Sequence, residues 1–264
     1  NTYSFFALYA NIDNFNFQED LIKYEERLEI DRWIISKLNS LVKEYELLMD
    51  DYDVTRATRL IANFTIDQLS NWYVRRSRRR FWISEMNHNK ISAYQTLYEC
   101  LITISKLISP FTPFIAEEIF QNLNNVTKRE PYKSVHLSFL PEVTFIDKEL
   151  EDKMEIAQKV VYLTRSMRAK LNLKIRQPLR KIMIVVLSSK QNALEEMKEV
   201  ILEEVNIKEM EILKDDSEIV NKSAKPNFKA IGPKFGKLVN QVANAIRQFS
   251  KNEIEQIEKG ESIK

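Results

Sequence analysis

Only three glycines occur in the 264 residues. Glycine is the residue that lets a backbone enter left-handed turns and pass close to a phosphate. A chain this poor in it has few tight turns and no phosphate-cradling loop, so its fold is expected to be mostly helical. The apolar positions agree. Ile34, Leu38, Leu41, Tyr45 and Leu48 recur at steps of three and four, one helical stripe across residues 31–49. Ala57, Ile61 and Phe64 begin a second helix that continues through Leu69 to Trp82. Tyr94, Leu97, Tyr98, Leu101, Ile104 and Ile108 mark a third, which Pro110 stops. Thr112-Pro113 restarts a helix, with a hydroxyl at the N-cap and proline at the first helical position. Phe114, Ile115, Ile119, Phe120 and Leu123 supply its apolar face. An antiparallel helical bundle is the expected first half.

The pattern then changes. Residues 124–131 are polar and loop-like, and Pro141 with the charged stretch Asp147 to Lys153 suggests a boundary near 145–150. The expected domains are 1–148, a helical bundle, and 149–264, a long helix followed by a small α/β domain. That helix runs from about Glu151 to Leu171. Ile182 to Leu187 is a compact Ile- and Val-rich run, a candidate buried strand. Gln191 to Val205 reads as a helix, Glu209 to Leu213 as a second strand, and Phe235 to Phe249 as a helix following Gly232-Pro233. The fold class is therefore mainly α with a small α/β part. The chain starts in an apolar aromatic stretch, Tyr3 to Tyr9, without an initiator methionine, and ends without a closing element. Both ends are expected to be cuts inside a longer protein.

Composition excludes several classes. Hydrophobic residues at 44% and charged residues at 30% fit a soluble globular chain, not a disordered one. The longest apolar run, Ile182 to Leu187, is far too short to span a bilayer, so no membrane partner is expected. Cys100 is the only cysteine, which rules out an internal disulfide and a four-cysteine zinc site. On an amphipathic helix it reads as a small core residue, and the compartment as reducing, the cytoplasm. His88 and His136 have no second histidine or cysteine at metal-ligand spacing, so no metal site is expected. Glu117 and Glu118 are adjacent on a helix, point apart, and read as a solvated face. No catalytic constellation is visible.

Charge is the positive signal. Residues 1–50 hold five basic and ten acidic residues, whereas 151–200 hold eleven basic and six acidic. Such separation suggests a field aimed at a polyanion. Three segments carry many bases and no acids. Residues 68–84 contain Arg75, Arg76, Arg78, Arg79 and Arg80 among Trp72, Tyr73, Phe81 and Trp82. Residues 156–181 contain Lys159, Arg165, Arg168, Lys170, Lys174, Arg176, Arg180 and Lys181. Residues 219–252 contain Lys222, Lys225, Lys229, Lys234, Lys237, Arg247 and Lys251. Guanidinium groups pair with phosphates and stack on bases, and aromatic rings give unpaired bases a platform. RNA would satisfy all three. A charge run is also commonly a solvated face, and a helical aromatic commonly core. The arginine run has a third reading: five arginines in six positions circle most of a helix, so some must face protein, including carboxylates of another domain.

Two strings carry a resemblance. Asn71-Trp72-Tyr73-Val74-Arg75-Arg76-Ser77-Arg78-Arg79-Arg80-Phe81-Trp82 closely resembles a signature of isoleucyl-tRNA synthetases, in the helices after their catalytic domain. Ser109-Pro110-Phe111-Thr112-Pro113-Phe114-Ile115-Ala116-Glu117-Glu118-Ile119 resembles the anticodon-domain motif shared by the isoleucine, valine, leucine and methionine enzymes. Ser134-Val135-His136-Leu137 is similar to the segment that follows it. Asn172 to Leu179 and Lys225-Pro226-Asn227-Phe228-Lys229 resemble elements of the eukaryote-like branch of the isoleucine family. The likeness runs from Asn1 to about Lys237. Three departures stand out. The nucleotide motifs written HIGH and KMSKS are absent, the C-terminal zinc ligands of the other bacterial branch are absent, and Phe139-Leu140-Pro141 stands where the family often has an Asp-Trp-Pro-like end.

The resemblance implies a parent enzyme that joins isoleucine to its tRNA using ATP and magnesium, of which this chain would grip the anticodon arm. No cofactor is expected in the chain itself, and alone it should be inactive. Its expected partners are isoleucine tRNA and the catalytic domain of the same parent chain. The main phosphate-gripping edge is expected at Arg165, Arg168, Lys170, Lys174, Arg176, Arg180 and Lys181, where the long helix gives way to an extended stretch after which strand Ile182 begins. In that stretch Lys174 and Arg176 would share one side. Trp72, Arg75, Arg76, Arg78, Arg79, Arg80 and Trp82 are candidates for an interdomain or RNA-binding face. Two other readings remain: a general RNA-binding module, and a protein-interaction scaffold whose arginines serve neighbouring domains.

Overall fold

The structure, a computed structural model, describes residues 1–186, 188–213 and 223–258. It is mainly helical with a small α/β part, and it divides into two compact units, Asn1–Gln158 and Lys159–Lys264.

The first unit contains α1 (Thr2–Ile12), α2 (Glu29–Asp50), α3 (Val54–Asn63), α4 (Arg75–Trp82), α5 (His88–Ile108), α6 (Pro113–Thr127) and the start of α7 (Lys148–Lys170). Helix α5 is its axis. It packs against α1, α2, α3, α4 and α6, so residues all round it are buried, from Ala93, Tyr94 and Leu97 to Cys100, Leu101 and Leu107. A helix enclosed on every side has no use for a polar face. Cys100 lies within that core as a small apolar residue, and burial pushes its thiol well above the ordinary value. Asn87 caps α5 by accepting from the Lys90 amide at 2.9 Å.

Helices α3 and α4 are parts of one helical run. Residues Phe64–Val74 between them are π-helical. A π turn is wider than an α turn, and the burial pattern shows it. Ala57, Ile61 and Phe64 follow at steps of four and three, but the next buried residue is Leu69, five positions on.

Two local expectations need correcting. The Thr112 hydroxyl does not cap α6. It donates backward to the Ile108 carbonyl at 3.3 Å, and Pro113 alone shapes the start. Glu117 is not merely solvated. It accepts from Ser134 Oγ at 2.9 Å, the Val135 amide at 2.8 Å and Gln121 Nε2 at 2.9 Å, fixing the turn at Val135–Leu137 to α6. Glu118 is exposed and accepts from Asn122 Nδ2 one turn on at 3.0 Å.

Helix α7 begins on α2. Glu151 is buried and accepts from Ser36 Oγ and Ser40 Oγ, both at 2.7 Å, with Lys37 at 3.5 Å and Lys148 at 3.4 Å. Burial alone would raise this carboxyl, but the two serine hydrogen bonds and the two lysines outweigh it and hold it below its ordinary value. A lowered carboxyl stabilises the fold above its unfolded-state value, and that contribution is lost as pH falls through the folded value. Glu151→Gln is therefore expected to flatten the loss of thermal stability of this unit between about pH 5 and 3. Parallel acid-limb curves for the two proteins would refute that.

In the second unit, β1 (Leu179–Val185) and β2 (Ile207–Leu213) pair in parallel, Leu179 opposite Ile207 and Val185 opposite Leu213. Helices α8 (Gln191–Glu196) and α9 (Lys198–Val205) connect them and bury Leu194, Ile201 and Val205, with Met197 buried at the join between the two helices. Strand β1 starts three residues before the apolar run. In a two-stranded sheet every strand is an edge, so Arg180 and Lys181 can belong to it and stay in water. Leu187 lies outside the described residues. The helix expected after Gly232-Pro233 is divided otherwise, into α10 (Phe228–Phe235), α11 (Val239–Arg247) and α12 (Lys251–Glu258). Pro233 sits inside α10, and the break comes at Gly236, whose φ of +49° suits glycine.

Candidate nucleic-acid interface

The arginine run resolves by helical geometry. Tyr73, Ser77 and Arg80 lie four and three residues apart on the inward face, and all are buried. The Arg80 guanidinium forks onto Asp31, Nη1 to Oδ1 and Nη2 to Oδ2 at 2.6 Å each, and Nη2 also reaches the Asn89 carbonyl at 2.8 Å. Asp31, fully buried, further accepts from Tyr73 Oη at 2.8 Å and Ser92 Oγ at 2.7 Å. A buried charge must be paired, and here four donors meet one carboxylate. Burial and that carboxylate push the Tyr73 phenol well above its ordinary value. Trp72 is interior too, at 6% exposure, with the Arg75 and Arg76 guanidinium carbons 6.0 and 5.8 Å from its ring centroid. Arg80 and Trp72 are thus placed where no RNA or neighbouring domain reaches them. Arg75 and Arg76 are half-buried. Arg78 and Arg79 are exposed and make no ion pair among the described residues. Trp82, within one turn of both, is 58% exposed and donates its indole N–H to Tyr9 Oη at 2.8 Å.

The segment after α7 is built differently from the expected extended stretch. Gln177 N–H bonds the Lys174 carbonyl at 3.0 Å, closing a turn. The reason lies in Arg168. This side chain is 2% exposed, and its Nη2 donates to the carbonyls of Lys174 and Ile175, both at 3.1 Å, and of Gln177. Only a turned backbone can aim three carbonyls at one nitrogen. Asn206, in the left-handed conformation that ends α9, donates Nδ2 to the carbonyls of Ile175 at 3.0 Å and Arg176 at 3.2 Å. All four carbonyls from 174 to 177 are therefore held by the protein. Arg165 joins α7 to α9, its Nη2 2.6 Å from the Glu204 carboxylate. Arg168, and largely Arg165, serve the unit's own packing. The outward set is Lys170, Lys174, Arg176, Arg180 and Lys181, all exposed, with Lys181 paired to Glu211 across the strands. Asn206 was not legible as a functional position, since only the folded chain brings it to residue 175.

In the third basic segment Lys225, Lys229, Lys234, Lys237 and Arg247 are exposed. Lys222 and the side chain of Lys251 lie outside the described residues. Among the described residues, no group of His, Cys, Asp and Glu could hold a metal ion, and no helix is long and apolar enough to cross a membrane.

Comparison with known proteins finds isoleucine–tRNA ligases. The isoleucine–tRNA ligase of Bacteroides fragilis is 47% identical over 262 residues, 98% of this chain and 23% of the ligase. That of Cytophaga hutchinsonii is 46% identical over 262 residues, 98% of this chain and 24% of the ligase. Isoleucine–tRNA ligase 2 of Bacillus cereus is 42% identical over 258 residues, 97% of this chain and 24% of the ligase. The chain thus spans about a quarter of the length of the curated relatives it matches. The family described as the anticodon-binding domain of tRNA ligase matches residues 31–184, from α2 almost to the end of β1. Since that match takes in more than half of the residues, the chain belongs to the family of anticodon-binding domains of tRNA ligases.

Proposed function

We propose that the chain grips the anticodon arm of isoleucine tRNA on behalf of an isoleucine–tRNA ligase. The observation that carries this reading is the turn at residues 174–177, which lies inside the stretch that matches the family and is stapled by Arg168 from within that stretch and by Asn206 from beyond it. A loop whose carbonyls are already satisfied has little to lose on binding. It offers Lys170, Lys174, Arg176, Arg180 and Lys181 to a phosphate backbone at low entropic cost. Such contacts set affinity and register; base choice comes from groups that touch splayed loop bases. In this reading residues 1–148 form the helical anticodon-binding domain and residues 149–264 the smaller α/β domain. Arg78, Arg79 and Trp82 form a face for the catalytic domain of the same parent chain. ATP and magnesium act in the cytoplasmic parent enzyme on residues outside this chain, and the chain alone attaches no isoleucine.

The test is binding to isoleucine tRNA, a non-cognate tRNA and polyuridine at two salt concentrations. We expect cognate preference and affinity that falls steeply with salt. Salt-sensitive but indiscriminate binding would favour a general RNA-binding module. Absence of binding would favour a protein-interaction scaffold.

A further inference from the structure

Helix α10 is Phe228-Lys229-Ala230-Ile231-Gly232-Pro233-Lys234-Phe235, capped by Asn227, whose Oδ1 accepts from the Lys229 amide at 3.2 Å. Phe228, Ile231, Gly232 and Phe235 fall at positions one, four, five and eight, which is one helical face. In a globular protein such a face is buried. Here none of the helix's residues is buried, and Phe228 and Phe235 are 48% and 44% exposed.

Gly232 is the second feature of this helix. Glycine weakens a helix relative to alanine, and the chain uses only three. Gly236 has a backbone reason, its φ of +49°. Gly232 is not left-handed, and a Cβ built on it would meet no atom within 4 Å beyond its chain neighbours and its own helix. It does precede Pro233 inside the helix, where a residue without a Cβ is the least strained. The same lack of a side chain leaves this backbone open to a close approach from outside.

The surroundings say which chemistry. Lys225, Lys229, Lys234 and Lys237 are all exposed, and residues 219–252 contain no carboxylate. Four exposed lysines that make no ion pair among the described residues, in a stretch with no carboxylate of its own, favour a polyanion over a protein surface of mixed charge. Two exposed phenylalanines on one face, about 10 Å apart along the helix, give unpaired bases flat surfaces to lie on. The element also lies outside residues 31–184, the stretch that matches the family.

We propose that α10 is a second RNA-docking element, on which an unpaired nucleotide lies against the backbone at Gly232 between Phe228 and Phe235, its flanking phosphates held by the four lysines. The proposal rests on the RNA-binding reading above and adds a contact that reading does not contain.

The experiment uses the 264-residue chain, with an isoleucine tRNA transcript and polyuridine as probes. Gly232→Ala adds one methyl that meets no atom within 4 Å beyond its chain neighbours and its own helix. We expect its melting temperature to fall slightly, from the strain of a Cβ before Pro233, while affinity for both RNAs falls about fivefold. Phe228→Ala/Phe235→Ala, at exposed positions, should keep its circular dichroism and bind about tenfold more weakly or worse. If both variants bind RNA like the parent chain, and the parent chain binds tRNA well, α10 is not an RNA element and the anticodon reading stands. If the parent chain binds neither RNA, both ideas fall. If the double phenylalanine variant loses only self-association, with RNA affinity unchanged, the face belongs to a protein contact and the proposal is overturned.

Discussion

Replacing Asp31 with alanine is expected to cost the helical unit about 3–5 kcal/mol, a large fraction of the stability of an ordinary domain. The expectation follows from what would be left behind. Arg80, 8% exposed, would keep its charge and lose both of its 2.6 Å bonds to carboxylate oxygen. Tyr73 Oη and Ser92 Oγ would lose their shared acceptor in the same core. A buried cation with no counter-charge is among the costliest results of a single substitution, on a par with truncating a large core side chain. Arg80→Ala should be comparably damaging, because it strands the carboxylate. Removing both charges at once, as Asp31→Leu/Arg80→Met, should recover much of the loss, since the worth of such a pair lies largely in not being half-made. Urea unfolding of the three variants measures this directly. A loss below about 1 kcal/mol for Asp31→Ala would mean that the interior admits water and that Arg80 is less committed than its geometry indicates.

The same network shows which parts of this molecule could be read from sequence. Helices α2, α5 and α6 were legible because their apolar residues recur at steps of three and four, a pattern local to each segment. Helix α1 was visible only as an aromatic stretch, since Tyr3, Phe5, Phe6 and Tyr9 trace no single stripe. Its shape comes from packing, as where Phe5 meets the Phe81 ring edge-on at 5.1 Å. The π-helical stretch escaped because Phe64 and Leu69 are five apart, a step that belongs neither to a helix of ordinary pitch nor to a strand. Charge was the harder case. In an acid-free run, arginines that face carbonyls and arginines that face solvent look alike. Arg80 meets a carboxylate 49 positions upstream, and Arg165 one 39 positions downstream. Arg168 meets carbonyls of residues that themselves look like part of the basic edge. The sign of the local field was readable, but which side chains project it depends on contacts that only the folded chain creates.

The largest functional effect is expected at the stapled turn. Lys170, Lys174, Arg176 and Arg180 are exposed, and no ion pair within the described residues engages them. Lys181 is left aside because it is paired to Glu211. If each of the four neutralises one phosphate, the quadruple alanine variant releases four fewer counterions on binding tRNA. The slope of log affinity against log salt should then shrink by about 3 units, and affinity near 0.1 M salt should fall by about 10²- to 10³-fold. Cognate and non-cognate tRNA should lose affinity equally, because phosphate contacts carry no sequence information. The matched control is Arg168→Ala. That side chain is sealed from solvent, so its loss removes no phosphate contact. It frees the carbonyls of residues 174, 175 and 177, loosens the turn, and should weaken tRNA binding by a smaller factor with the salt slope nearly intact. Proteolysis near residue 176 should quicken in that variant and not in the quadruple one, since local opening governs cleavage. Two variants at one site would then separate charge from scaffold. An unchanged salt slope in the quadruple variant, with its circular dichroism intact, would move the phosphate grip away from this edge.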